Sequence, residues 1–212
     1  MQRLLIVLLI LIVVGGGIYY LLPRYTNYHI PLKAITIPEK KKSILLARLK
    51  KLGVDARSYT KAKGLSGDYC FLVDMSLPSG RNRFFVYDLE KDSVITEGLV
   101  AHGSCNQSFL EKPEFSNTTG SGCSSTGHYK VGYSYSGQFG KAYKLFGLDA
   151  SNSNAFERAV VLHAYDCVPD YEIYPQPLCN SLGCPMLSYN FLGRLSKIID
   201  KSKKPILLWM FE

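Results

Sequence analysis

YCFLVDMSLPSGRNRFFVYDLEKDSVITEGLVAHG, residues 69–103, decides the fold class of this chain. Its runs YCFLVDM (69–75), RFFVYDL (83–89) and SVITEGLVAHG (93–103) are rich in β-branched and aromatic residues. LPSGRN and EKD place Pro, Gly, Asn and Asp between them, which is turn chemistry at hairpin spacing. Downstream, HYKVGY (128–133), KAYKLFG (141–147), AVVLHA (159–164) and PILLWMF (205–211) continue the pattern, and NFLGRLSKIIDK (190–201) reads as one late helix. The expectation is a mainly β fold, a mixed or antiparallel sheet with peripheral helices and no internal repeat.

Composition agrees. With 47% hydrophobic and 20% charged residues over 212 positions, the chain is neither disordered nor fibrous. Its 18 Gly, 10 Pro and 15 Tyr favour a turn-rich β-fold over a helical bundle. The 25 basic and 17 acidic residues give a net charge of +8. Such a balance suits an anionic partner, whether nucleic acid, a membrane surface or a cell-wall polymer. It does not choose among them.

The N-terminal stretch LLIVLLILIVVGGGIYYLL (4–22) is uncharged and mostly apolar. A helix needs about 20 such residues to cross a bilayer. Only Arg3 precedes it and no small-residue cleavage signature follows, so residues 1–24 read as an uncleaved signal anchor, a transmembrane segment with the membrane as partner. The lysines beyond the span oppose export under the positive-inside rule. Residues 25–66 then form a basic stalk. Its segment PEKKKSILLARLKKLG (38–53) puts Ile44, Leu45, Leu49 and Leu52 on one helical face, between Pro38 and Gly53 as boundaries. That helix either packs on the domain or lies on anionic lipid. Nucleic acid is not an expected partner, because no aromatics interleave with the charges. Residues 67–212 form the remaining domain.

Six cysteines stand at 70, 105, 123, 167, 179 and 184. Export permits disulfides. If Cys184 stands apart as a nucleophile, the short-range pairings Cys105–Cys123 and Cys167–Cys179 are the expected ones. A zinc site could draw on His102, Cys105, Cys123 and His128, but neither spacing completes a four-ligand signature. No metal and no cofactor are expected.

The chemistry gathers at one constellation. The strand AVVL ends on His163, and residues 164–180 lead to Ser181-Leu182-Gly183-Cys184-Pro185. A free thiol is only a few per cent thiolate at neutral pH. An imidazole that accepts its proton makes it a nucleophile toward an acyl carbon. Gly183 removes side-chain bulk where a substrate carbonyl must approach the backbone. Pro185 has no N–H, so backbone oxyanion donors must come from Cys184 and the residues before it. The alternative is a buried Cys in a turn beside a core His.

His163, the interval and Ser181-x-Gly183-Cys184 resemble the signature of the L,D-transpeptidases, the YkuD-like family. The blocks FLVDMSLPSGRNRFFVYDLEKDSVITEGLVAHG, FSNTTGSGCSSTGHY, YSGQFGKAYKLFGLD, SNSNAFERAVVLHAY and SLGCP, in that order, resemble its murein L,D-transpeptidase catalytic-domain branch. The resemblance spans roughly residues 69–212. It implies a cysteine acyltransferase anchored in the inner membrane, acting on peptidoglycan stem peptides from the periplasmic side. Cys184 would attack the carbonyl of the third stem residue and expel D-Ala. The thioester would pass to an amine, giving a 3→3 cross-link, or to water, giving L,D-carboxypeptidase action. His163 would be base and then acid, Gly183 and Cys184 N–H groups would hold the oxyanion, and Ser181 would orient the loop or the imidazole. His102 resembles a branch motif and is a candidate substrate contact, as are Arg158, Asn154 and Tyr143. Arg158 and Asn154 read equally as loop braces. Where the branch has Gly-Arg before the Ser, this chain has Cys179-Asn180. A non-catalytic wall-binding module and another acyltransferase or hydrolase are the alternatives.

Overall fold

In strand β1 (Tyr69–Asp74), Phe71 and Val73 point into one hydrophobic cluster and Cys70 and Leu72 into another, and all are fully buried. Strand β2 (Phe84–Asp88) divides the same way, with Phe84 and Val86 on one side and Phe85 and Tyr87 on the other. A strand buried on both faces must be a middle strand covered from two sides. The computed structural model, which describes residues 39–212, shows how. The remaining strands are β3 (Ser93–Gly98), β4 (Gly127–Gly137), β5 (Gly140–Gly147), β6 (Val161–Ala164), β7 (Met186–Leu187) and β8 (Leu207–Phe211). They form one eight-stranded sheet in the order β3-β2-β1-β8-β4-β5-β6-β7. The β1–β8 and β6–β7 pairs are parallel and the others antiparallel, so the sheet is mixed.

Helix α1 (Glu39–Lys63) covers one face of β1, β2 and β8, and helix α2 (Tyr189–Ile199) the other. Along α1, Leu45, Leu49, Leu52, Ala56 and Tyr59 make the stripe that meets Cys70, Leu72, Tyr87 and Leu207. Ile44, expected on that stripe, is 61% exposed instead. Arg48 ties the helix to buried Asp74 with a bond of 2.9 Å. On α2, Phe191, Leu192 and Leu195 enter the opposite cluster with Phe84, Val100 and Leu162. Ser188 caps its N-terminus by accepting the Phe191 N–H at 3.1 Å.

α1 does not end at Gly53. The helix continues because Gly53 is a packing residue: a Cβ there would stand 2.3 Å from the Tyr87 ring. The helix ends ten residues later on a Schellman arrangement, with Gly64 at φ +66°, Leu65 N–H on the Thr60 carbonyl at 2.9 Å and Gly64 N–H on that of Lys61 at 3.4 Å. The apolar run 4–22 lies outside the described residues. Among the described residues no helix is long and apolar enough to cross a membrane. Two disulfides, Cys105–Cys123 and Cys167–Cys179, staple the loops on either side of the sheet's β6–β7 end, and Cys70 stays buried and free.

Replacing Gly53 with Ala forces the Tyr87 ring to shift. Overpacking of about 1–3 kcal/mol outweighs the helix-propensity gain of about 1 kcal/mol, so the urea midpoint should fall; a higher midpoint would show that the ring yields freely. Replacing Cys105 and Cys123 together with Ser reopens a loop of 18 residues, and the expected loss is about 3 kcal/mol in urea unfolding without reductant.

Candidate active site

His163 occupies the last turn of the alternation in β6, on the side opposite Leu162, and is 2% exposed. Its Nδ1 lies 3.0 Å from the Ala164 carbonyl. A carbonyl only accepts, so Nδ1 carries the proton and Nε2 keeps the free lone pair. Burial holds the imidazole pKa below the ordinary histidine value. Phe139, at the tip of the β4–β5 hairpin, stacks on the ring at 4.3 Å and meets Tyr165 edge-on.

Parallel pairing of β6 with β7 sets His163 beside Met186, and His163 N–H reaches the Pro185 carbonyl at 3.5 Å. That register runs Cys184 alongside Val161, two residues before His163 on the same strand. The thiol receives the Val161 N–H at 3.4 Å and points toward the Ala159 carbonyl at 3.8 Å. Ala159 has φ +54°, a left-handed conformation costing an L-residue roughly 1–2 kcal/mol; bonds from Ala159 N–H to Phe156 and from Val160 N–H to Ala155 hold it. Among the described residues no hydrogen bond joins Cys184 to His163, a looseness common before substrate arrives. Burial raises the thiol pKa; the Val161 N–H and the charges of Arg158 and Lys144 pull against it.

The nucleophile loop holds itself. Ser181 Oγ accepts the Gly183 N–H at 3.0 Å and donates to the Cys184 carbonyl at 2.6 Å. Ser181 therefore orients the loop. Gly183 sits at φ +115°, and a Cβ there would stand 2.7 Å from the Cys123 carbonyl, so only glycine fits on both counts. Its N–H, expected to face an oxyanion, is committed to Ser181. The Cys184 N–H has no acceptor among the described residues.

Neighbouring segments clamp this loop. Ser181 N–H donates to the His102 carbonyl and Ser104 N–H to the Ser181 carbonyl, both at 2.8 Å, while Ala101 N–H donates to the Met186 carbonyl at 2.9 Å. Fully buried Ser124 donates from Oγ to the Gly183 carbonyl at 3.2 Å and accepts the Gly103 N–H at 3.0 Å.

The expected substrate contacts are engaged by the protein's own groups. His102 is fully buried: its Nδ1 accepts from the Arg83 guanidinium at 2.9 Å, which leaves Nε2–H for the Leu110 carbonyl at 3.0 Å. Burial and the Arg83 charge push its pKa down to about 4. Arg158 braces the loop of residues 116–125, bonding the Ser116 and Cys123 carbonyls and the Ser125 and Ser121 hydroxyls. Asn154 bonds the backbone and side chain of Asn117. Tyr143 is buried on the sheet face away from His163, with its hydroxyl on Asp200 at 2.8 Å. The zinc alternative dissolves because Cys105 and Cys123 are bonded to each other, and His128 is held by Asp149 at 2.8 Å between Tyr59 and Trp209. Sequence reasoning missed Ser124, Arg83, Phe139 and Asn180. Asn180 grips Leu110 from both sides, accepting its N–H at 2.7 Å and donating to its carbonyl at 2.9 Å. Arg83 carried a signal, a charge directly before the apolar run Phe84–Tyr87; a serine in a Ser-rich loop carried none.

The sequence model of a family described as the L,D-transpeptidase catalytic domain matches residues 41–211. No curated protein matches the chain. Among solved structures it is similar to the helical cell shape determining protein Pgp2 from Campylobacter jejuni in its K307A form (14% identity, TM-score 0.45, covering 68% of this chain and 47% of that one). It is also similar to the Ldtfm–avibactam carbamoyl enzyme (14%, 0.43, 68% and 49%) and to the C442S mutant of Enterococcus faecium L,D-transpeptidase (14%, 0.38, 68% and 50%). The chain thus spans about half the length of these proteins, and likenesses of this degree carry no argument. The family match, running from inside α1 through β8, does: the chain belongs to the L,D-transpeptidase catalytic-domain family.

Proposed function

We propose that the protein is a cysteine L,D-transpeptidase that remodels peptidoglycan stem peptides. The observation that carries this reading is the His163 tautomer: Nδ1–H is held by the Ala164 carbonyl, so Nε2 is an open base on the same short strand whose Val161 N–H touches Cys184 Sγ. Cys184 Sγ attacks the carbonyl carbon of the third stem residue while its proton passes to His163 Nε2. Charge develops on the carbonyl oxygen, and the uncommitted Cys184 N–H is the donor available to it. The tetrahedral adduct collapses with cleavage of the C–N bond, and His163 returns its proton to the departing D-Ala amine. The amine of a second stem then attacks the thioester, loses its proton to His163 and releases the thiol, leaving a 3→3 cross-link. Water in place of the amine gives a tripeptide.

Thiol and imidazole are shifted apart from the values that would make an ion pair. The raised thiol pKa keeps Cys184 protonated at pH 7, and the lowered imidazole pKa keeps His163 neutral. The reaction therefore runs as general-base catalysis, with the proton moving during attack. Anchorage through residues 4–22 and an extracytoplasmic catalytic domain belong to the same proposal. Two disulfides beside the nucleophile loop support it, since such bonds persist in oxidising compartments.

Mass analysis of products from disaccharide-tetrapeptide, with Cys184→Ala as control, tests the reaction. Cross-linked dimer with D-Ala release, absent in the variant, is the expected result. Tripeptide alone would make the protein a carboxypeptidase, and no product from a folded chain would overturn the reading. The protonation states have their own test in the pH dependence of iodoacetamide labelling at Cys184. Labelling should climb through an inflexion above the ordinary cysteine value of about 8.5. Reactivity persisting to pH 5 would instead reveal a preformed thiolate–imidazolium pair.

A further inference from the structure

Lys144 on β5 is the cross-strand partner of Val161 on β6, the residue whose N–H touches Cys184 Sγ. Two residues along the same register Ala142 faces His163, so Lys144 leaves the sheet on the side of the imidazole. The side chain is half-buried, its ammonium 4.8 Å from the centre of the Tyr135 ring and 5.8 Å from that of Phe156. Phe156 is itself stacked on Phe146 at 5.0 Å.

Two of the neighbouring cations are occupied. Lys141 pairs with Asp200, and the Arg158 guanidinium is bonded to the loop it braces. Lys144 has no carboxylate partner among the described residues. Removing an ammonium from water without an anion is unfavourable, and ring faces offset only part of that cost. Its charge is felt at the nucleophile, where it favours the thiolate. An uncommitted cation, fixed by two rings beside the reacting sulfur, is what a substrate anion needs.

We propose that Lys144 binds the free α-carboxylate of the acyl donor's leaving residue and so restricts the donor to peptides that end one residue beyond the scissile carbonyl. This rests on the proposed acyl transfer at Cys184. The lengths agree: one strand spacing separates the Lys144 and Val161 backbones, about 4.8 Å, and one extended residue spans about 3.5 Å.

The test compares disaccharide-tetrapeptide with its C-terminal carboxamide on the full chain, its Lys144→Gln and its Lys144→Arg variants, reading release of the terminal residue. The wild-type chain should favour the acid over the amide by 10- to 100-fold in kcat/KM. Lys144→Gln should bring the acid down toward the amide, chiefly through KM, and Lys144→Arg should restore most of the preference. Equal turnover of acid and amide by the wild-type chain, or an equal loss on both in Lys144→Gln, would overturn the assignment. Calorimetric binding of both peptides to the Cys184→Ala chain, with and without Lys144→Gln, separates the two levels of the argument. An acid preference in binding that depends on Lys144, together with no release of the terminal residue by the wild-type chain, would leave the carboxylate site standing and remove the reaction. No preference for the acid in binding would remove the site.

Discussion

The site depends on a two-residue strand. Only Met186 and Leu187 join the sheet as β7, yet their parallel pairing with β6 is what lays the Cys184 loop alongside Val161, at the start of the His163 strand. Parallel neighbours cannot be joined by a tight turn, so the chain must make a long excursion from Tyr165 to Pro185 before it returns. Such an excursion has little hydrogen bonding of its own, and its buried backbone groups need partners from elsewhere. They find them in residues 101–104, in Ser124 and in the Ser181 side chain. The clamp fixes Gly183 against the Cys123 carbonyl, and the disulfide to Cys105 anchors that carbonyl in turn.

Burial then decides the electrostatics. Both reacting groups sit where charge is disfavoured, and the same cause moves their pKa values in opposite directions, the acid up and the base down. A neutral pair needs only one correctly placed lone pair, which the Ala164 carbonyl secures by holding the other nitrogen. Arg158 and Lys144 temper the thiol without ionising it.

The parts legible in the sequence are those written in local pattern. Alternation in 69–103 marked three strands, and the apolar face of 190–201 marked α2, with boundaries shifted by a few residues. The motif around Cys184 and the spacing to His163 marked the proposed nucleophile and base, because the type and order of residues carry that chemistry. What stayed hidden depends on partners distant in sequence. Gly53 reads as a helix stop until the Tyr87 ring is seen against it. His102 reads as an active-site histidine until buried Arg83, nineteen positions earlier, is found on its Nδ1. Tyr143 reads as groove or core according to which face of β5 the sheet covers, and a short strand does not announce that.

The same reasoning explains why so many polar side chains around the site touch backbone rather than one another. Arg83, Arg158, Asn180, Ser124 and Ser181 all bond to carbonyls or N–H groups of irregular segments. A regular strand carries its own ladder, whereas a loop built to present a thiol, a glycine turn and a free N–H must borrow its hydrogen bonds. Side chains committed to that task are withdrawn from substrate recognition. The arginine, the buried histidine and the asparagine that look like ligand contacts in a linear reading are the residues that hold the loops still. In the proposed reaction, recognition is left to groups whose own surroundings do not satisfy them, and near Cys184 these include the Cys184 N–H and the Lys144 ammonium.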